Sequence, residues 1–101
     1  MVMNKMRPIH PGEILREEFL SPLDMTPSAL AKELRVDAPR INDIVNEKRA
    51  VTVDTALRLA RFFDTTPEFW LNLQLAYELR KAEIEVRAKI DRDIVPLAKS
   101  A

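Results

Sequence analysis

The chain has 101 residues, 47% hydrophobic and 32% charged, with 16 basic side chains against 16 acidic ones and a formal net charge of zero. That is one domain's worth of chain with material for one modest core, and its balance removes the net positive charge on which nonspecific polyanion binding feeds. The absence of cysteine excludes disulfides, thiolate nucleophiles and cysteine-based zinc sites and fits a reducing cytoplasm; the lone histidine, His10, argues against a His-rich metal site or a serine triad.

No apolar run reaches the roughly 18 residues that a membrane span requires. The opening MVMNKMRP lacks the apolar stretch of a signal peptide. Helix punctuation is frequent and strand signals are almost absent. His10-Pro11-Gly12-Glu13 predicts a helix start, with proline at the first helical position and an apolar stripe of Ile14, Leu15 and Phe19 that ends near Ser21-Pro22. Thr26-Pro27 opens a second helix, whose buried side is Leu30, Ala31 and Leu34. A third begins near Asp37 to Pro39 and runs to about Asn46. The fourth takes Thr52 as its cap and carries Ala56, Leu57, Leu59, Ala60 and Phe63. Thr66-Pro67-Glu68 opens the longest helix, expected to reach about Ile90 and to end before Pro96. The reading is an all-α, five-helix unit of one domain over 1–101, with a core at about 7–80 and a helical extension at about 81–95. Only one glycine occurs, so other residues must make the corners between helices.

The third helix carries the functional signal. At 100° per residue, Ile41, Ile44 and Val45 share one side, while Pro39, Asp43 and Asn46 point nearly opposite and Arg40 and Asn42 flank them. Two short helices joined by about three residues, the second presenting its first turns, form a helix-turn-helix. A DNA major groove admits one such helix, where arginine pairs bidentately with guanine and asparagine with adenine. Arg40 and Asn42 are therefore the leading base readers. Asp43 either accepts from cytosine N4 or orients Arg40, and Ala38 and Pro39 are small enough to touch a thymine methyl. Ala31, in the middle of the preceding helix, lets the reading helix pack closely across it. A solvated polar face on an ordinary helical pair has the same periodicity.

Beyond periodicity, SALAKELRV followed by RINDIVNEKRAVTVDTALRLARFFDTTPEFWLNLQ, with RPIHPGEILREEFL ahead of it, resembles the HigA (VapI-type) antitoxin family of lambda-repressor-like, Xre-type helix-turn-helix proteins. The resemblance covers about residues 7 to 80, and DTALRLARFFDTTPEFWLNLQ is its most specific part. It implies a five-helix DNA-binding domain, usually a homodimer, that represses its own operon and neutralises a HigB/RelE-like, mRNA-cleaving toxin. It also places the recognition helix at Ala38 to Asn46, with Thr26, Pro27 and Ser28 beside one phosphate and Asn46, Lys48 and Arg49 on the backbone at the far side. Thr26 and Ser28 equally suit a helix cap and first turn. The sequence departs from the family at two corners: Arg35 stands where LGV has glycine, and Glu47 where NGKR has it. A non-glycine residue costs roughly 1 kcal/mol wherever φ is positive, and Glu47 adds a negative charge near the expected phosphate.

Phe69, Trp70, Leu71, Leu73, Leu75, Ala76, Tyr77 and Leu79 make the last helix apolar nearly all round, so it needs cover on more than one side. One side is expected to close the core over Leu57 and Phe63. The other, with Trp70, Leu71, Leu75 and Leu79, is a candidate dimer surface, and two half-sites about 34 Å apart would demand a near-palindromic operator. Two alternatives remain: a solitary or phage-type regulator without a toxin, and a protein-interaction module that no longer touches DNA. No glycine-rich phosphate loop, metal constellation or nucleophile–base pair supports an enzyme, and no cofactor is implied.

Overall fold

The computed structural model describes residues 7–98; most of the opening stretch read above for a leader, residues 1–6, lies outside that range. Helix α1 (Pro11–Ile14) runs on without a break as a π-helical segment (Leu15–Leu20). It is followed by α2 (Pro27–Leu34), α3 (Ala38–Val45), α4 (Val53–Phe63), α5 (Pro67–Glu85) and α6 (Arg87–Asp93), with no strand among the described residues.

Four of the helix starts, those of α1, α2, α4 and α5, follow from a side-chain cap. The hydroxyls of Thr26, Thr52 and Thr66 accept from the N–H groups of Ala29, Thr55 and Phe69 at 3.0, 3.3 and 3.1 Å. Such caps are worth about 1 kcal/mol each. His10 does the same for α1, its Nδ1 accepting from the Gly12 N–H at 2.8 Å. The π-helical turn explains a spacing that an α-helix does not serve. Leu15 and Leu20, five residues apart, would diverge by about 140° at 100° per residue, yet both are buried. The Ser21 N–H reaches back five residues to the Arg16 carbonyl at 3.0 Å, and this wider turn brings both leucines to one side.

The helix ends share one device. Val36 donates to the Ala31 carbonyl, Lys48 to Asp43, Met25 to Leu20 and Thr65 to Ala60, each across a residue in the left-handed region: Arg35 (φ 60), Glu47 (φ 63), Asp24 (φ 53) and Asp64 (φ 58). These are Schellman-type closures, which glycine usually makes. Arg35 and Glu47, the two departures from the family pattern, both sit at positive φ.

The single glycine is spent elsewhere. A Cβ on Gly12 would lie 1.7 Å from the Ile44 carbonyl oxygen, so α1 rests directly on the end of α3. Ile41 and Ile44 are fully buried with Leu15, Leu30, Ala31, Leu59 and Trp70.

Three expectations are corrected. Leu57 does not close the core. The buried stripe of α4 runs through Thr55, Ala56, Leu59 and Ala60, which leaves Leu57 on the opposite side, 54% exposed; Phe63 does pack inward, its ring 6.2 Å from Trp70. Trp70 is not a dimer contact, because it is 0% exposed within the chain. Its indole N–H donates to Thr65 Oγ1 at 2.8 Å, and the rings of Phe19 and Phe69 lie 5.0 Å away. The last helix also does not run unbroken to Ile90. It ends at Glu85, Val86 leaves helical geometry (φ −130, ψ −8), and α6 begins at Arg87, so among the described residues six α-helices replace the expected five. The β-branched Ile84 and Val86 favour the helix weakly and are exposed, so no core contact compensates. The arm so formed stretches the chain to 58 Å along its long axis, with a radius of gyration of 17.2 Å against about 13 Å for a compact chain of this length.

Two outcomes follow for stability. Arg35→Gly and Glu47→Gly relieve about 1–2 kcal/mol of left-handed strain and return about 0.4–1 kcal/mol through the freer unfolded chain. Each is therefore expected to stabilise the fold by roughly 0.5 kcal/mol in urea unfolding. Gly12→Ala drives a methyl into the Ile44 backbone, and the same measurement is expected to show a loss of about 2–3 kcal/mol.

Candidate nucleic-acid interface

Helix α3 is seated by Ile41, Ile44 and Val45, all buried, which leaves Pro39 and Asn46 exposed and Ala38, Arg40, Asn42 and Asp43 half-buried at its edges. Thr26 and Ser28 at the start of α2 are exposed, as are Lys48 and Arg49 beyond the end of α3. Pro27 is half-buried, and Thr26 performs the capping role noted for it. Neither Arg40 nor Asn42 lies buried beneath another element, yet neither is free. The Arg40 NH1 donates to Asp54 Oδ2 at 2.7 Å and approaches Thr55 Oγ1 at 3.4 Å; Asn42 donates to the Ala38 carbonyl one turn back at 3.1 Å.

Asp43, Glu47 and Asp54, on or beside this face, are engaged with cations. Asp43 pairs with Arg49 at 3.1 Å, so a residue expected at bases and one expected at phosphate are joined to each other. Glu47, whose charge was expected to stand near a phosphate, lies 3.5 Å from Arg16. Arg16 also donates to the Val45 carbonyl at the end of α3. Asp54 bridges Arg40 and Arg58, and its hydrogen bonds to first Arg40 and then Arg58 hold its carboxyl below the usual aspartate range. Arg58 in turn donates to the Leu34 carbonyl at the end of α2, at 2.8 Å. Between α3 and the start of α4 lies an open cleft lined by Arg40, Arg49, Thr52, Asp54, Thr55 and Arg58.

Residues 15–70 match the family model described as helix-turn-helix. The chain is 50% identical over 98 residues to virulence-associated protein I of Dichelobacter nodosus, covering 97% of this chain and 89% of that protein. It is 39% identical to antitoxin HigA-1 of Vibrio cholerae, covering 78% and 74% of the two chains. The solved structure of Pseudomonas aeruginosa antitoxin HigA with the higBA promoter matches at a TM-score of 0.89 and 52% identity, over 91% of this chain and all of that one. The chain belongs to the HigA (VapI-type) antitoxin family of helix-turn-helix proteins.

Within this HigA-type chain, two buried polar residues hold the segment that carries Lys48 and Arg49, and the sequence reading assigned neither this work. Gln74 accepts from the Val51 N–H through Oε1 at 2.8 Å and donates to Glu78 through Nε2 at 2.8 Å. Its signal was a polar residue within an apolar helix. His10, expected only as a helix-start residue, faces the Arg49 backbone and meets Tyr77 edge-on at 4.8 Å. Asp54 and Arg58 were also missed, because the i, i+4 pair reads as a routine exposed ion pair on α4. Among the described residues no group of side chains suits a metal ion, and no helix is long and apolar enough to cross a membrane.

Burial pushes the His10 imidazole below its ordinary 6.5, and Lys81 acts in the same direction, against the raising influence of Glu47 and the Arg49 backbone. Its Nδ1 is occupied as an acceptor, so the folded chain resists protonation there. The unfolded state then binds a proton that the folded state refuses, and stability falls as pH drops below about 6.5. Unfolding measured from pH 7 down to pH 5 is expected to show a loss of no more than about 1.4 kcal/mol per pH unit from this group. His10→Asn, a cap that does not titrate, removes that component.

Proposed function

We propose that this chain is a sequence-specific, operator-binding antitoxin that works as a homodimer in the cytoplasm, represses its own operon and neutralises a HigB/RelE-like, mRNA-cleaving toxin. The observation that carries the DNA-binding part is the short polar end of α3, held on a buried Ile41–Ile44–Val45 stripe and flanked by the start of α2 and by Lys48 and Arg49. A relative of 52% identity and the same fold was solved with its promoter, which supports the same use here.

In this reading Arg40 and Asn42 contact base edges, with Ala38, Pro39 and Asp43 beside them. Thr26, Pro27, Ser28, Asn46, Lys48 and Arg49 hold the two flanking stretches of phosphate backbone. Asp43 releases Arg49 when either takes a DNA partner. The dimer face is drawn on Leu71, Leu75 and Leu79. Leu75 and Leu79 are 63% and 58% exposed on α5 and largely uncovered among the described residues. The toxin assignment rests on family membership, and a short basic reading frame beside this one would support it. Absence of such a frame would favour the solitary regulator.

Arg40→Ala is expected to weaken binding to the DNA upstream of the chain's own reading frame by about 1–3 kcal/mol and to relax base preference. Lys48→Ala should instead weaken binding to every duplex and flatten its salt dependence. Mobility shifts at matched salt separate the two, and a shift unchanged in Arg40→Ala removes that residue from the base-reading set.

A further inference from the structure

The Arg40 guanidinium is held at one corner only. NH1 makes both its contacts, to Asp54 Oδ2 at 2.7 Å and Thr55 Oγ1 at 3.4 Å, and no described residue engages Nε or NH2. The same Asp54 Oδ2 also accepts from Arg58 Nε at 2.9 Å, and Arg58 is anchored through NH1 on the Leu34 carbonyl at 2.8 Å. A relay thus runs from the end of α2 through α4 to the side chain of α3. It leaves the Nε–NH2 edge, one of the two-donor edges that can match the O6/N7 pair of guanine, without a protein partner.

We infer that Asp54 is a specificity-determining positioning residue: by clamping NH1 it presents the Nε–NH2 edge of Arg40 to a guanine. This rests on the reading of Arg40 as a base reader. An arginine without the clamp sweeps many rotamers and offers its charge to any phosphate, so it binds DNA with less discrimination. Asp54 touches no base in this scheme. Its carboxylate also repels phosphate, so removing the charge leaves affinity for unrelated duplex unchanged or raised.

The test selects a randomised duplex library against the full-length wild type, Arg40→Ala, Asp54→Asn and Arg58→Gln, with thermal melting of each sample. Arg40→Ala should lose preference at one guanine. Asp54→Asn should lose it at that same guanine by roughly fivefold or more, part of the discrimination of one bidentate pair, with the other positions retained. Arg58→Gln, which removes the second donor to Asp54 Oδ2, should give a smaller loss at that position and keeps the test usable if Asp54→Asn folds poorly. Preference kept at that guanine in both clamp variants, while Arg40→Ala loses it, overturns the clamp and leaves Arg40 as reader. No loss in Arg40→Ala overturns the base-reader assignment and the clamp with it. An equal decline at every position with a lowered melting temperature makes Asp54 a structural residue only, and also overturns the proposal.

Discussion

The close seating of α3 is the constraint on which the rest of the molecule depends. Ile41, Ile44 and Val45 are buried to within a few per cent of complete, and Gly12 brings the backbone of α1 against the Ile44 carbonyl at a distance no side chain would permit. Close-packed interiors transmit small displacements, so the tilt of α3 and the direction of its polar residues are set by these contacts. The chain's one glycine serves this approach, and Asp24, Arg35, Glu47 and Asp64 take the left-handed corners instead. The strain of those corners is the cost of spending the glycine on the packing beneath α3.

Zero net charge has a similar local explanation. Asp43, Glu47 and Asp54 each hold a cation on or beside the exposed face, namely Arg49, Arg16 and the Arg40–Arg58 pair. Exposed pairs of this kind add little to stability. Their effect is to fix where long basic side chains stand before a ligand arrives, which lowers the entropy lost on binding. Arg16 and Arg58 also satisfy the final carbonyls of α3 and α2, so the same cations that balance the acids finish two helices.

Much of the fold was legible in the residues. Caps at Thr26, Thr52 and Thr66 and prolines just inside the starts of α2 and α5 are local chemistry, and α2, α4 and α5 start where those signals lie. Positive φ at Arg35 and Glu47 followed from the expectation of glycine there. The misread positions depended on neighbours. Leu57 and Leu59 are both leucines on α4, and only the packing direction decides that one is exposed and the other buried. Trp70 and Leu75 lie on one apolar helix, and coverage by the π-helical segment and α4 makes the first core and leaves the second exposed.

The sequence by itself determined the capped starts at His10, Thr26, Thr52 and Thr66 and the stripe that turns the polar side of α3 outward, because capping and amphipathic burial depend on residues within four positions of each other. The hydrogen-bonding state of the site was decided by the tertiary structure. Arg40 meets Asp54 across 14 positions, Arg58 meets Leu34 across 24, and Val51 meets Gln74 across 23. Contacts that span such separations exist only once α2, α4 and α5 have packed around α3, and no local periodicity encodes them.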